Sequence, residues 1–306
     1  MSGTTVTRRT FLQSTPLSVG LASGLLPADS SARANTRLDR TGGSRLKPSL
    51  NAYSFNKSLL DGSFTWTELL TFCASLDFDA IDFTAYYFSG YPQVPPDKVL
   101  YRFKRQAFLL GLAISGTGVR NDFTLADPGE RQREKELVKN WIVAAAKLGA
   151  PVLRIFTGKG IEQGFSREQV FQWVADEIIE CAEFAKGYGV MLAIQNHADL
   201  LQTAEDIHLI MTKVDHDWVG LMSDIGSFRG SDPMQEINDT IQYAITWQIK
   251  ERMRFHDQDR ETDIKRVLDI IRRSDYRGYL PIETLGEGDP KIKVKKLYEQ
   301  VRKALH

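Results

Sequence analysis

Leu192-Ala193-Ile194-Gln195-Asn196-His197 is a short apolar run that turns polar at its end. Read as an extended strand, it puts Leu192 and Ile194 on one face and Ala193, Gln195 and His197 on the other, because successive side chains alternate. The run sits within 190–196, and seven similar β-rich runs lie at 49–55, 80–84, 112–116, 152–156, 219–224, 244–249 and 279–283. Amphipathic helical stretches separate most of them, at 66–76, 96–110, 129–148, 166–188, 203–214, 232–243 and 263–274, and 290–305 closes the chain. Eight strand–helix repeats predict a (β/α)8 TIM barrel over 47–306. A doubly wound open sheet is the alternative, but no GxGxxG follows the first strand.

A barrel turns one face of every strand toward its axis and keeps its chemistry at the C-terminal strand ends. Gln195, Asp224, Gln248 and Glu283 end the fifth to eighth runs. Gln248 and Lys250 share a face, with Trp247 and Ile249 on the other. Glu283 faces inward when Leu280 and Ile282 face the helices; Arg154 and Asp82 can also face inward. Two carboxylates and two amide oxygens on four adjacent strands form an all-oxygen set suited to a hard divalent cation. A buried polar residue satisfied by its neighbours is the plainer reading of any one of them.

The segments around these residues, including Leu221-Met222-Ser223-Asp224-Ile225-Gly226, Trp247-Gln248-Ile249-Lys250-Glu251 and Gly278-Tyr279-Leu280-Pro281-Ile282-Glu283, resemble the xylose isomerase-like sugar isomerase/epimerase TIM barrels over roughly 47–306. The resemblance implies one divalent metal ion, Mn²⁺ or Mg²⁺ ahead of Zn²⁺, held by Glu, Asp, His or Gln, and Glu from strands five to eight. Asp224 and Glu283 match that pattern, and Gln248 matches its amide variant. Gln195 departs from it, standing where the family usually has Glu. The implied chemistry is enediolate formation on a metal-chelated hydroxy-carbonyl sugar, with two carboxylates moving protons. Only Glu283 remains of that pair, and an amide does not act as a base. Glu283 is then the main proton-transfer group, an anion under the metal's charge, with His197 or Lys250 as a second base. Isomerisation, epimerisation and elimination all stay open. A noncatalytic sugar-binding barrel is the alternative. An endonuclease IV-like enzyme fits worse, since its metal cluster needs many His ligands and this chain has five His in all.

Arg154, His197, His256, Asp82 and Tyr53 are the candidate substrate contacts. His256 lies in a charged loop after strand seven, where a plain surface role competes. Lys250 reads equally well as a substrate contact or as a salt bridge to an inward acid. Asn51 is a further candidate for the site floor. Tyr86, Tyr87, Phe88 and Tyr91 form an aromatic stretch on which a sugar ring can stack, although core packing explains some of them as well.

Of 306 residues, 39 are Lys or Arg and 39 Asp or Glu, so the formal net charge is zero. That argues against a nucleic-acid partner and for a small-molecule sugar substrate. Cys73 and Cys181 are too far apart for a zinc ribbon or redox motif. Thr7-Arg8-Arg9-Thr10-Phe11-Leu12-Gln13, a weakly apolar run and Ala32-Arg33-Ala34 read as a twin-arginine leader over 1–34. Residues 35–46 read as a linker. The expectation is a periplasmic or otherwise exported protein with no stable membrane insertion after cleavage. Removing 1–34 takes three arginines and one aspartate with it and leaves a net charge of −2. A homo-oligomer stays open.

Overall fold

The structure is a computed structural model that describes residues 45–306 apart from 198 and 257. The leader, most of the linker and the cleavage site expected from the sequence lie outside the described residues.

Eight parallel strands close into a barrel: β1 (Lys47–Asn51), β2 (Ala80–Asp82), β3 (Ala113–Gly118), β4 (Val152–Ile155), β5 (Met191–Gln195), β6 (Val219–Asp224), β7 (Ala244–Lys250) and, after an inserted hairpin, β10 (Tyr279–Glu283). Each neighbours the next, and β10 returns to β1 through Pro48↔Leu280 and Leu50↔Ile282. The hairpin is antiparallel, with β8 (Arg252–Phe255) on β9 (Gln258–Glu261).

The helices are α1 (Asn56–Leu60), α2 (Trp66–Ser75), α3 (Asp97–Leu109), α4 (Pro128–Leu148), α5 (Arg167–Lys186), α6 (Ala204–Val214), α7 (Pro233–Thr240), α8 (Ile264–Arg273) and α9 (Pro290–Leu305). Local chemistry fixes their ends. Thr65 with Glu68, Ser166 with Gln169 and Thr203 with Asp206 form capping boxes that satisfy the first N–H groups of α2, α5 and α6. α4 starts on an Asp127 cap with Pro128 in its first turn, and stops at Gly149, whose φ of 77° is left-handed.

Alternation divides the strands as the pleat requires. Leu50, Ile81, Leu153, Ile194, Leu221, Trp247, Ile249 and Ile282 are fully buried in the main core. Val152, Ala193 and Met222, with Ile245 packed on them, form a separate apolar cluster. They come from four adjacent strands and fill the barrel interior. Gly220 makes room for that layer, since a Cβ there would lie 2.4 Å from the Ile245 side chain. The β6–β7 register shifts beside Leu221/Met222, so Ile245 and Thr246 both turn from the helix layer before Gln248 resumes the alternation. Serine pairs across the interior too, Ser49 Oγ to Ser115 Oγ at 2.7 Å.

Two stretches differ from the sequence-based expectation. The first strand, expected over 49–55, ends at Asn51. The Asn51 side chain accepts from the Tyr53 N–H at 2.9 Å and starts the 3-10 turn Ala52–Phe55. The loop after β7 carries the β8–β9 hairpin, which its charged, non-alternating sequence did not announce; Met253 is its buried anchor. Among the described residues, no helix is long and apolar enough to cross a membrane.

Candidate functional site

The C-terminal ends of the strands open into a cavity of about 560 Å³, within the range of small-molecule sites. Gln195, Gln248, Lys250, Glu283, Arg154, His197, Tyr53 and Asn51, all read from the sequence, line it. Asp224 lies beneath, fully buried, and joins them through hydrogen bonds.

Asp224 is held on every side. Its Oδ2 accepts from Gln195 Nε2 (2.8 Å), Ser227 Oγ (2.8 Å) and Lys250 Nζ (2.9 Å), and its Oδ1 accepts from the Gly226 N–H (3.0 Å). Three of these donors crowd Oδ2, and one reaches Oδ1. The Asn196 side chain fixes its backbone, accepting from Asp224 N–H at 2.8 Å and donating to Asp224 C=O at 3.0 Å. Gln195 Nε2 also donates to Gln248 Oε1 at 2.5 Å, and Gln248 Nε2 donates to Glu283 Oε2. Lys250 Nζ lies 3.2 Å from Glu283 Oε1. A glycine permits this reach: a Cβ on Gly226 would sit 2.7 Å from Lys250 Cδ, in the path of the lysine stem.

Burial alone would favour the neutral Lys250 amine, but Asp224 and Glu283 hold its ammonium well above the ordinary lysine value. Lys250 is therefore a proton donor and positive charge, not the free base considered from sequence. Burial pushes the Glu283 carboxyl above its usual range, against the pull of Lys250, with Asp224 pushing it further up.

The expected oxygens converge, but the arrangement does not fit the divalent cation that the sequence resemblance implies. Both carboxylates share one ammonium, Asp224 Oδ2 already accepts from three donors, and the Gln248 carbonyl accepts from Gln195. Among the described residues, no group of three or more His, Cys, Asp or Glu is arranged to hold a metal ion.

The other candidates separate. Arg154 donates to Tyr86 OH at 2.7 Å and to the Val119 carbonyl, with its guanidinium 4.1 Å over the Phe156 ring. Gly118 makes space for it, since a Cβ there would come within 2.9 Å of Arg154 Cζ. His197 is half exposed at the rim, its Nδ1 2.8 Å from Asp199 Oδ2 and its ring edge-on to Phe156. Asp82 is buried inside the barrel but does not line the cavity; burial pushes its carboxyl up to about 6, opposed by Arg154 and reinforced by Glu283. His256 does not join the site. It is exposed at the hairpin tip with φ 52°, because the unanticipated β8–β9 pairing carries it off. Of the aromatic stretch, Tyr86 lines the cavity, whereas Phe88 and Tyr91 pack on Trp141 and Tyr87 bonds Asn56. Asn196, Ser227 and Gly226 went unassigned in the sequence. Asn196 left one trace there, a polar residue on the outward-facing side of an otherwise apolar strand end.

A sequence model of the family described as xylose isomerase-like TIM barrel matches residues 70–305. Among solved structures, D-psicose 3-epimerase with D-tagatose from Clostridium cellulolyticum H10 is similar at 16% identity and TM-score 0.65, over 85% of this chain and 96% of that one. The probable 3-DHS dehydratase AsbF of petrobactin synthesis from Bacillus anthracis matches at 16% and 0.64, over 84% and 98%. The IOLI protein with a bound zinc atom matches at 17% and 0.68, over 84% and 96%. At such identities the likeness is one of fold. No curated protein matches the sequence.

Proposed function

This chain belongs to the xylose isomerase-like TIM barrel family, and from that premise we propose that it is a sugar isomerase/epimerase-type enzyme acting on a small hydroxy-carbonyl compound. The observation that carries the reading is Glu283, a buried carboxylate at the wall of a polar cavity, beside the Lys250 ammonium. Such a pair suits proton abstraction next to a carbonyl. Glu283 takes the α-proton, and the electron pair moves onto the carbonyl oxygen. Lys250 then stabilises that enediolate oxygen with its positive charge and hydrogen bonds. Return of the proton from Glu283 to the former carbonyl carbon, with the α-hydroxyl proton passing to the enediolate oxygen, gives an isomer. Delivery from the opposite face by His197, oriented by Asp199, gives an epimer. Tyr53 and Arg154, on the cavity wall, bind hydroxyl or anionic groups of the substrate. No step is routed through the divalent ion of the sequence reading, because the Lys250 ammonium bridges its two carboxylates and the Gln195 and Gln248 amides donate to them. Export by the twin-arginine route is part of the proposal and rests on Arg8-Arg9 and Ala32-Arg33-Ala34.

Solvent deuterium wash-in, followed by NMR on a panel of keto-sugars, tests the reading. Glu283→Gln keeps the shape and removes the base, so exchange should fall by about 10²-fold or more, the usual size of a general-base contribution. Equal rates in both proteins would move the base elsewhere. No exchange by the wild type on any sugar would favour the second reading, a sugar-binding barrel without turnover. The ion pair that ties Glu283 to Lys250 gives that reading its support.

A further inference from the structure

We infer that the Lys250 side chain is a built-in cation occupying the position between Asp224 and Glu283 that a divalent metal would need, so that this barrel works without one. The inference concerns what fills the site and stands apart from the sugar reading above.

Three observations carry it. First, Lys250 Nζ lies 2.9 Å from Asp224 Oδ2 and 3.2 Å from Glu283 Oε1, so it bridges both carboxylates. Mg²⁺ or Ca²⁺ would sit about 2.0–2.6 Å from the same oxygens and claim the same volume. A cation in that volume and an adjacent ammonium would repel each other. Second, the donors around the bridge point the wrong way for a metal. Gln195 presents its N–H to Asp224 and Gln248, and Gln248 presents its N–H to Glu283, whereas a cation requires their oxygens. Third, the path of the lysine is built into the backbone. It crosses Gly226, where a Cβ would lie 2.7 Å from Lys250 Cδ and 3.2 Å from the Arg252 carbonyl. The lysine is thus a packed component of the site, with its side chain 13% exposed.

The test reads metal and stability, not turnover, so its failure is distinct from failure of the proposed activity. The full chain is dialysed against Mn²⁺, Mg²⁺ or Zn²⁺, desalted, and assayed by elemental analysis. Thermal unfolding is then followed with the metal alone and with EDTA. The same measurements are made on Lys250→Met and on Lys250→Met combined with Gln195→Glu. The wild type should retain no stoichiometric metal, and its Tm should respond to neither metal nor chelator. Lys250→Met leaves two buried carboxylates without a cation. Its Tm should fall in EDTA and recover in metal, more strongly still when Gln195→Glu adds a third carboxylate. One equivalent of metal in the wild type, with a Tm loss in EDTA, would overturn the inference. So would folded Lys250 variants that gain no metal response. If the variants do not fold, the wild-type measurements decide by themselves.

Discussion

Replacing Asp82 by Asn should stabilise the protein at neutral pH, progressively less through mild acid, and not at all once the carboxyl is protonated in both folded and unfolded chains. Asp82 ends β2 on the inner side of the barrel and is 3% exposed. Burial pushes its carboxyl from 3.8 up to about 6, although Arg154 favours the charged form; Glu283 adds to the rise. A rise of about two units corresponds to about 3 kcal/mol, at about 1.4 kcal/mol per unit. The sign follows from proton counting. Below about pH 3 the carboxyl is protonated in both folded and unfolded chains, and its contribution is nil. As pH rises from 3.8 to about 6, the folded chain keeps a proton that the unfolded chain has released, so stability falls. Above that window the loss is complete and constant. Asn preserves the shape and cannot ionise. Urea unfolding of both proteins from about pH 3 upward should therefore give a difference near zero at about pH 3 that grows to about 3 kcal/mol in favour of the Asp82→Asn variant at about pH 7.5. For a domain of this size the neutral-pH difference corresponds to a Tm gain of roughly 6–12 °C. A difference that does not vary with pH, or a variant less stable than wild type at neutral pH, would refute the argument. The first result would mean that Arg154 cancels the burial penalty on the Asp82 charge, the second that it outweighs it.

Two other changes test different parts of the molecule. Asn196→Ala orphans the Asp224 N–H and C=O together, which at about 1–3 kcal/mol per buried group should cost roughly 2–6 kcal/mol in chemical denaturation; a loss near zero would remove Asn196 from its positioning role. Fusing residues 1–45 to a reporter that works only when exported folded should give export that an Arg8→Lys, Arg9→Lys pair abolishes; undiminished export would count against the twin-arginine route.

The barrel was legible because its signal is local and repeated. Each strand run carries its own alternation, and Trp247 and Ile249 against Gln248 and Lys250 follow from a period of two without knowledge of any neighbour. Gln195, Gln248 and Glu283 could be placed at one mouth for the same reason. What sits between those side chains could not be read this way. Whether Lys250 reaches a substrate or turns back onto Asp224 depends on a flexible stem and on an unoccupied Cβ position at Gly226, on a different strand connection. The Asn196 clasp likewise joins β5 to β6 across 28 positions. The plain surface reading of His256 is the one that holds; the hairpin that carries it was not legible, because a charged segment paired with itself, a local choice made by backbone hydrogen bonds and one buried Met253 rather than by hydrophobic period.

The two departures at the site belong together when their charges are counted. The pattern implied by the resemblance has three carboxylates around a divalent ion, a balance of −1. Here Gln195 takes away one negative charge, and the Lys250 ammonium in place of a divalent ion takes away one positive charge. Asp224, Glu283 and Lys250 again sum to −1. A buried site tolerates exchange of its components more readily than a change in its net charge, because uncompensated charge in a low-dielectric interior costs several kcal/mol. Gln195→Glu alone should therefore be the poorly tolerated step, adding a third carboxylate against one ammonium. The same change made together with Lys250→Met should need a metal to be stable. On this account Gln195 is not a damaged catalytic carboxylate. It is the residue that lets a lysine serve where a divalent ion would otherwise be required, and its N–H group closes the network by bonding Asp224 and Gln248.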